Sequence, residues 1–470
     1  SGPGVPGEVR SGRPAQGRAS LKGLIFSVSG ARGIVGEGLD PLNLTSMAAH
    51  FGRWTGPGTI VVGRDSRVSG EMAMAAVTAG LLGVGCDVVD LGIVSTPTVE
   101  VAVREVGAVG GIQISASHNP AEWNALKFFN SQGEFITPQQ YRQLDKVFNS
   151  MGAVYQPHNK LGTVTVQKNW IDEHVRKTLA VKVINRSAIK KRKFKVVLDA
   201  VNGAGSEALP RLLTKLGVKV IKINCDGDGN FTHEPEPVAK NLTQLVRAVK
   251  KHKADLGMAC DPDADRLALV DEKGNPIGEE LTLTIAVAAV LAAKAGPTVI
   301  NLSTSRVTDD VARSLNSKVH YSKVGESNVV EMMRKKRGVI GGEGNGGVIF
   351  PAFHAGRDAL IAAALVLSQL ARSKRTLSEQ VETFPKYYNI KTKGQLKGNF
   401  VSKLKQFEKR APRLLGKVKV DRRDGLRFDF EQGWLQIRSS NTEPIYRLIV
   451  ETNSKALTEK LSREVKRLFT

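Results

Sequence analysis

The sequence predicts an α/β protein built from three successive α/β units and a smaller α+β unit at the C-terminal end. Three observations carry this. The chain has 470 residues, too many for one core when domains run to about 100–150 residues. Apolar, β-branched runs ending in glycine or charge alternate with helix-like stretches, the rhythm of strand–crossover–strand units. After about residue 385 that rhythm yields to a strongly alternating segment, "WLQIRSSNTEPIYRLIVET" (434–452), and a charged closing helix.

In chain order, "SGPGVPGEVRSGRPAQGRAS" (1–20) has the Gly, Pro, Ser and Arg content of a disordered tail and lacks the apolar core of a signal peptide. The first unit (21–155) holds the strand "GTIVVGRD" (58–65), the helix "EMAMAAVTAGLLGVG" (71–85) and the strand "CDVVDLG" (86–92). The rhythm returns in the second unit (156–275) with "KFKVVLDAVNGAG" (193–205), the helix "EALPRLLTKLG" (207–217) and the strand "VKVIKIN" (218–224). A third unit (276–384) contains "ELTLTIAVAAVLAAK" (280–294), "TVINLSTS" (298–305) and "GVIGGEGNGGVIF" (338–350), and the fourth spans 385–470.

Composition narrows the function. Hydrophobic residues make up 41% and charged residues 24% of the chain, a globular balance, and no run approaches the roughly 20 apolar residues of a membrane span. Three scattered cysteines, Cys86, Cys225 and Cys260, form neither a disulfide framework nor a zinc pattern, which places the protein in a reducing cytoplasm. The net charge of +23 would attract any anion. Basic clusters such as "KKRKFK" (190–195) and "RKKR" (334–337) occur without the aromatic platforms that stack bases, aromatic content being 6%. They read as solvated surface, so neither nucleic acid nor membrane is the expected partner.

Chemistry gathers in four places. In "GIQISASHNPAEWNALKFF" (111–129), two core-like runs are interrupted by Ser115, Ser117, His118, Asn119 and Pro120. Turn chemistry accounts for Asn and Pro. Hydroxyls at a strand's carboxyl end are where open α/β sheets place ligands, so Ser117 is a candidate nucleophile. In "CDPDADRLALVDEKG" (260–274), Asp261, Asp263 and Asp265 alternate between two strand-like runs; three carboxylates so close call for a hard cation, Mg²⁺ or Ca²⁺, or make an Asp-rich surface turn, and the cation is the favoured reading. The EF-hand alternative fails, because Arg266 stands where that loop needs glycine and the flanks are strands. In "GGEGNGGVIF" (341–350), glycines around Glu343 and Asn345 permit close approach to a ligand such as a sugar hydroxyl, or simply make a turn. In "RSSNTEP" (438–444), Arg438, Ser440, Asn441 and Thr442 offer a guanidinium and short donors, fit either to clamp a phosphate or to cap a turn.

The ordered set "SGARG" (29–33), "GRDSRVSG" (63–70), "SASHNP" (115–120), "DAVNGAG" (199–205), "DPDADR" (261–266), "GEGNGG" (342–347) and "RSSNTEP" closely resembles the α-D-phosphohexomutases. The resemblance covers the chain from about residue 22. It implies three similar α/β domains and a different fourth around a central cleft, and reversible exchange of a hexose 6-phosphate with its 1-phosphate. It makes Ser117 a phosphoserine and the fourth ligand of Mg²⁺ beside Asp261, Asp263 and Asp265, with a hexose 1,6-bisphosphate as intermediate and activator. Glu343 and Asn345 would read the sugar, and Arg438, Ser440, Asn441 and Thr442 would hold the non-reacting phosphate. Arg32 and Lys127 would stabilise charge or move protons. His118 is divided between catalysis and orienting its loop, and Arg266 between ligand contact and holding the Asp loop. "GEGNGG" departs from the family's common "GE.SGH": Gly347 replaces a histidine that is an acid/base candidate, leaving His354 or Lys323 to cover that task. The variant loop is similar to phosphoglucosamine mutases, the first substrate expectation. Phosphomannomutase/phosphoglucomutase activity is second, a non-catalytic sugar-phosphate-binding protein third, and a monomer and a homodimer stay equally open.

Overall fold

The structure, a computed structural model, describes residues 23–150, 154–395, 400–439 and 445–469. The expected N-terminal tail lies outside the described residues. Four sheets are present, as the alternation predicts. The first has seven strands in the order β1-β2-β6-β5-β3-β4-β7: β1 (Leu24–Ser27), β2 (Gly30–Ile34), β3 (Thr59–Arg64), β4 (Asp87–Ile93), β5 (Gly110–Ile114), β6 (Trp123–Asn130) and β7 (Val164–Val166). Strands β5, β3, β4 and β7 are parallel, while β6, β2 and β1 add on antiparallel. Strand β7 lies past residue 155, where the sequence ended the first unit; its exposed Val-Thr-Val pairs with β4 rather than opening a second sheet.

The second sheet contains β8 (Lys195–Asp199), β9 (Lys219–Ile223), β10 (Leu256–Cys260) and β11 (Leu267–Asp271), ordered β11-β10-β8-β9. The third contains β12 (Thr298–Asn301), β13 (Val319–Ser322), β14 (Ile340–Glu343) and β15 (Gly347–Ile349), ordered β13-β12-β14-β15. Both are parallel except for the last strand, which returns antiparallel. The fourth sheet is wholly antiparallel, β16 (Tyr388–Gln395), β17 (Lys419–Asp421), β18 (Leu426–Phe430), β19 (Gly433–Ser439) and β20 (Ile445–Thr452) in the order β16-β20-β19-β18-β17.

The central parallel strands are buried on both faces, as their continuous apolar runs require; β10 and β14 are buried along their whole length. One apolar cluster runs from Val61 to Phe384 and joins the first three units, whereas the fourth keeps its own core around Phe407, Phe428 and Phe469. Ser95 caps the helix Thr96–Val106 by accepting from the Thr98 amide, and Asp358 caps the helix Ala359–Ser373 by accepting from Leu360 and Ile361. Among the described residues, no helix is long and apolar enough to cross a membrane.

Candidate active site

Three of the four chemical motifs occupy one structural position. In each of the first three units a buried parallel strand turns back into an antiparallel partner, and the turn carries the motif: Ser115–Asn119 between β5 and β6, Asp261–Arg266 between β10 and β11, Gly344–Gly346 between β14 and β15. The first two meet directly. Ser117 Oγ donates to Asp261 Oδ2 at 2.7 Å, and the serine is 4% exposed. Its backbone sits in the left-handed region at φ +50°, an unfavourable conformation for a residue with a Cβ.

The loop is held in that form by a residue whose role the sequence does not reveal. Arg67, 1% exposed, donates to four carbonyls of this loop: Ser117 and Asn119 through Nη2 (2.6 and 2.7 Å), Pro120 and Trp123 through Nη1 (2.7 and 2.8 Å). Asp65 fixes the guanidinium through Nε at 3.1 Å and accepts from Ser115 Oγ at 2.6 Å; Ser115 in turn accepts the Ser117 amide. Ser115 is therefore a brace, not a second nucleophile. His118 Nδ1 lies 3.4 Å from Ser117 Oγ, a longer contact than the 2.7 Å bond from that hydroxyl to Asp261. Burial, then the charges of Arg266 and Arg32, hold the pKa of its imidazole well below the ordinary value.

Asp261, Asp263 and Asp265 are fully buried with ligand atoms within 4.8 Å of one another. Lys127, from β6, reaches across from the first unit to Asp263 Oδ2 at 2.5 Å and Asp265 Oδ2 at 3.7 Å, and Thr96 Oγ1 also donates to Asp263 Oδ2. Burial alone would push Asp263 up, but the Lys127 charge and these donors hold it below the carboxylate range. Asp261 lacks such a partner: burial, then the charges of Asp265 and Asp263, push it well above that range. The free oxygens Asp263 Oδ1 and Asp265 Oδ1 are buried without a hydrogen-bond partner. Three buried carboxylates with two orphaned oxygens and a serine hydroxyl form an all-oxygen donor set, and it fits Mg²⁺. Arg32, its Nε also unpartnered, hydrogen-bonds Asn119 Oδ1 at 3.2 Å, and Arg266 lies 3.7 Å from Asp265 Oδ1.

A second unforeseen arginine joins the metal loop to the glycine loop. Arg357 donates to Asp265 Oδ2 at 2.6 Å, Glu343 Oε2 at 3.0 Å and Glu326 Oε2 at 2.8 Å. Glu343 Oε1 takes Asn301 Nδ2 and the Gly325 amide, while Oε2 takes only Arg357 and is the less occupied oxygen of the carboxylate. Asn345 Oδ1 closes its own turn by accepting from the Gly347 amide. Lys323 is exposed at the end of β13. His354 is buried with its nitrogens against Asp358 and Glu100. Arg438 lies at the end of β19, near enough to feel the Glu343 charge; Ser440, Asn441 and Thr442 lie outside the described residues.

Comparison with known proteins agrees with this arrangement along the chain. Residues 23–153, 172–274 and 278–388 match phosphoglucomutase/phosphomannomutase alpha/beta/alpha domains I, II and III, and residues 399–468 match its C-terminal domain. A phosphoglucomutase/phosphomannomutase of Thermococcus kodakarensis is 37% identical over 446 residues, covering 92% of this chain and 95% of that protein. A probable phosphoglucosamine mutase of Methanopyrus kandleri is 34% identical, covering 94% and 97%. Among solved structures, a phosphoglucomutase/phosphomannomutase family protein of Burkholderia thailandensis superposes with a TM-score of 0.81 at 28% identity, covering 94% of this chain and 97% of that one. Fold and relatives together define a mutase, an enzyme that moves a phosphoryl group within one substrate. The chain belongs to the phosphoglucomutase/phosphomannomutase family, and so to the α-D-phosphohexomutases.

Proposed function

We propose that the protein interconverts hexose 6-phosphates and 1-phosphates through a phosphoryl group carried on Ser117, with glucosamine phosphate as its first substrate. The observation that carries the reading is the 2.7 Å contact between Ser117 Oγ and Asp261 Oδ2 across two domains, inside a ring of buried cations. Bound among Asp261, Asp263 and Asp265, magnesium would neutralise phosphoryl oxygens, the main requirement of phosphoryl transfer. Arg67 aims the serine by fixing its loop. Lys127 neutralises Asp263, and Arg32 and Arg266 line the same charge field. In the forward step the Oγ–P bond of phosphorylated Ser117 breaks and the serine oxygen takes up a proton, while a bond forms from phosphorus to a sugar hydroxyl oxygen whose own proton leaves to a base. The product is a hexose 1,6-bisphosphate. The bisphosphate must reorient before its other phosphoryl group returns to Ser117, so one clamp has to accept either end. Arg438, Ser440, Asn441 and Thr442 suit that task by recognising phosphate without reading the carbon that bears it. Glu343, through the remaining lone pair of its Oε2, would accept from a sugar hydroxyl beside Arg357.

Glucosamine phosphate is favoured by the names of several archaeal relatives, that of Methanopyrus kandleri among them. Mannose and glucose phosphates are the second reading, favoured by the Thermococcus kodakarensis relative. The test combines mass spectrometry of the protein after incubation with glucose 1,6-bisphosphate and mutase assays on glucosamine, mannose and glucose phosphates. Phosphate is expected on Ser117, and Ser117→Ala is expected to lose at least roughly 10³-fold in turnover. Phosphate only on another residue, or an active alanine variant, would sink the mechanism.

A further inference from the structure

A second cluster of ligating side chains lies where the first three domains meet. His174, from the helix Trp170–Leu179 of the second domain, and His354 and Asp358 of the third have ligand atoms within 4.8 Å of one another and are 0%, 3% and 0% exposed. His174 Nε2 lies 2.9 Å and His354 Nε2 3.0 Å from the same oxygen, Asp358 Oδ2. The first domain supplies the outer contacts from one helix, Thr96–Val106. Thr98 Oγ1 is 2.9 Å from His174 Nδ1, and Glu100 Oε2 is 3.4 Å from His354 Nδ1.

Two hydrogen placements are compatible with these contacts. With hydrogen on both Nε2 atoms, each histidine donates to Asp358 Oδ2 and the bare His354 Nδ1 calls for a proton on the buried Glu100. With hydrogen on both Nδ1 atoms, His354 faces Glu100 with its N–H, His174 donates to Thr98 Oγ1, and both Nε2 lone pairs turn toward Asp358 Oδ2. In neither does the 3.4 Å separation give His354 Nδ1 or the Glu100 oxygens a hydrogen-bond partner. The second placement gathers two imidazole lone pairs and a carboxylate oxygen, all buried, around one point that a cation can occupy.

We infer that this junction is a binding site for a divalent transition-metal ion of zinc's class, ligated by His174 Nε2, His354 Nε2 and Asp358 Oδ2. Thr98 and Glu100 set the histidine tautomers, as outer partners of metal-bound histidines do. Tetrahedral zinc with bonds near 2.0–2.1 Å spaces its ligand atoms by roughly 3.3 Å, so the present spacing opens by a few tenths of an ångström on binding. Asp358 is anchored for ligation, since its other oxygen caps the helix Ala359–Ser373. Gly356 keeps room for Glu100, because a Cβ there would fall 1.8 Å from Glu100 Oε2. The site would tie three domains together beneath the helix whose first residue, Thr96, contacts Asp263.

The inference does not depend on the mutase reading, and its test reads metal rather than turnover. Full-length protein is stripped with chelator, saturated with Mg²⁺ and titrated with Co²⁺, then Zn²⁺. The expected result is about one tightly held equivalent per chain, with the intense visible bands of four-coordinate cobalt. Asp261→Asn should keep those bands. His174→Gln and His354→Gln should lose them, and Glu100→Gln should weaken binding by about 10–100-fold. Zn²⁺ should raise the melting temperature of Mg²⁺-saturated wild type. Absence of bound cobalt and of any zinc-induced shift in the wild type, or only the weak bands of six-coordinate cobalt lost in Asp261→Asn, would overturn it whether or not the histidine variants fold.

Discussion

Asp263 gives one carboxylate oxygen to the Lys127 ammonium and the Thr96 hydroxyl, while Asp261 takes only the Ser117 hydroxyl and two amides of its own loop. Asp263→Asn strips a 3%-exposed ammonium of its close partner and should cost about 3–5 kcal/mol of stability. Asp261→Asn removes one of three crowded like charges and keeps an acceptor for Ser117. In chelator it should leave stability within about 1 kcal/mol of wild type while abolishing most Mg²⁺ affinity and turnover. Urea unfolding of both variants in chelator decides the matter, and equal losses would refute the assignment. His233 offers a pH test. Its Nε2 bonds Asp199 Oδ2 at 3.0 Å and its Nδ1 the Glu234 carbonyl at 2.9 Å, so both nitrogens face acceptors and the folded ring is an imidazolium. Burial opposes the charge, but the Asp199 bond outweighs it and raises the pKa. A raised pKa stabilises fully below the ordinary histidine value and loses that contribution as pH climbs through the folded one. His233→Gln should therefore destabilise at pH 5.5 more than at pH 9, and a gap equal at both would contradict the charged ring.

The turn after β8 carries no chemistry of its own, yet it supports the metal loop. Val201 and Asn202 adopt φ of +47° and +54°, the Ala204 amide donates to the Pro262 carbonyl at 2.7 Å, and a Cβ on Gly203 would lie 2.6 Å from Pro262 Cα and O. Gly203→Ala must push Pro262, and with it Asp261 and Asp263. Turnover should drop by roughly 10²-fold for a stability cost of about 1–3 kcal/mol; steady-state kinetics beside a thermal melt would show it, and wild-type turnover would mean that the loop yields freely. This element also shows what the sequence makes legible. Ser117, the Asp triad and Glu343 stand out because polar residues interrupt buried runs where a strand turns back. Arg67 and Arg357 do not, because a guanidinium that holds carbonyls or carboxylates 14 to 92 residues away reads in sequence as one more surface charge. Thr96 is hidden likewise, being an ordinary first-turn helix residue until Asp263 arrives from another domain.

Across the whole molecule, a core shared by three domains contrasts with a fourth domain that docks through polar contacts. Arg427 Nη1 reaches the Leu302 carbonyl at 2.6 Å, the Arg306 amide reaches Glu451 Oε1 at 2.7 Å, and the Val324 amide reaches Asp424 Oδ2 at 2.8 Å. Apolar burial holds the Ser117 and Asp261–Asp265 loops in register, while the fourth domain rides on bonds that water can replace. The net charge of +23 surrounds this assembly with a field that favours dianionic hexose phosphates. Since screening sets in over about 10 Å at 0.1 M salt, kcat/KM should decline several-fold between 20 and 200 mM potassium chloride with kcat little changed. A kcat/KM indifferent to salt would confine the basic surface to another purpose.

The left-handed backbone at Ser117 bears on the protein's history. Glycine would relax that conformation, by about 1–2 kcal/mol, while giving up the hydrogen bond to Asp261 and, in the proposed mechanism, the nucleophile; threonine would keep the hydroxyl but fit the backbone worse. On that mechanism, selection for turnover adds to the Asp261 bond in keeping serine in place. A gene copy freed from that selection meets little resistance, because the substitution that silences it also relieves backbone strain. The way back is uphill, since a lineage that has taken glycine must restore strain before it regains a nucleophile. Loss of activity at this position thus works as a ratchet, and inactive descendants of such a fold would be expected to outlast the chemistry that shaped them.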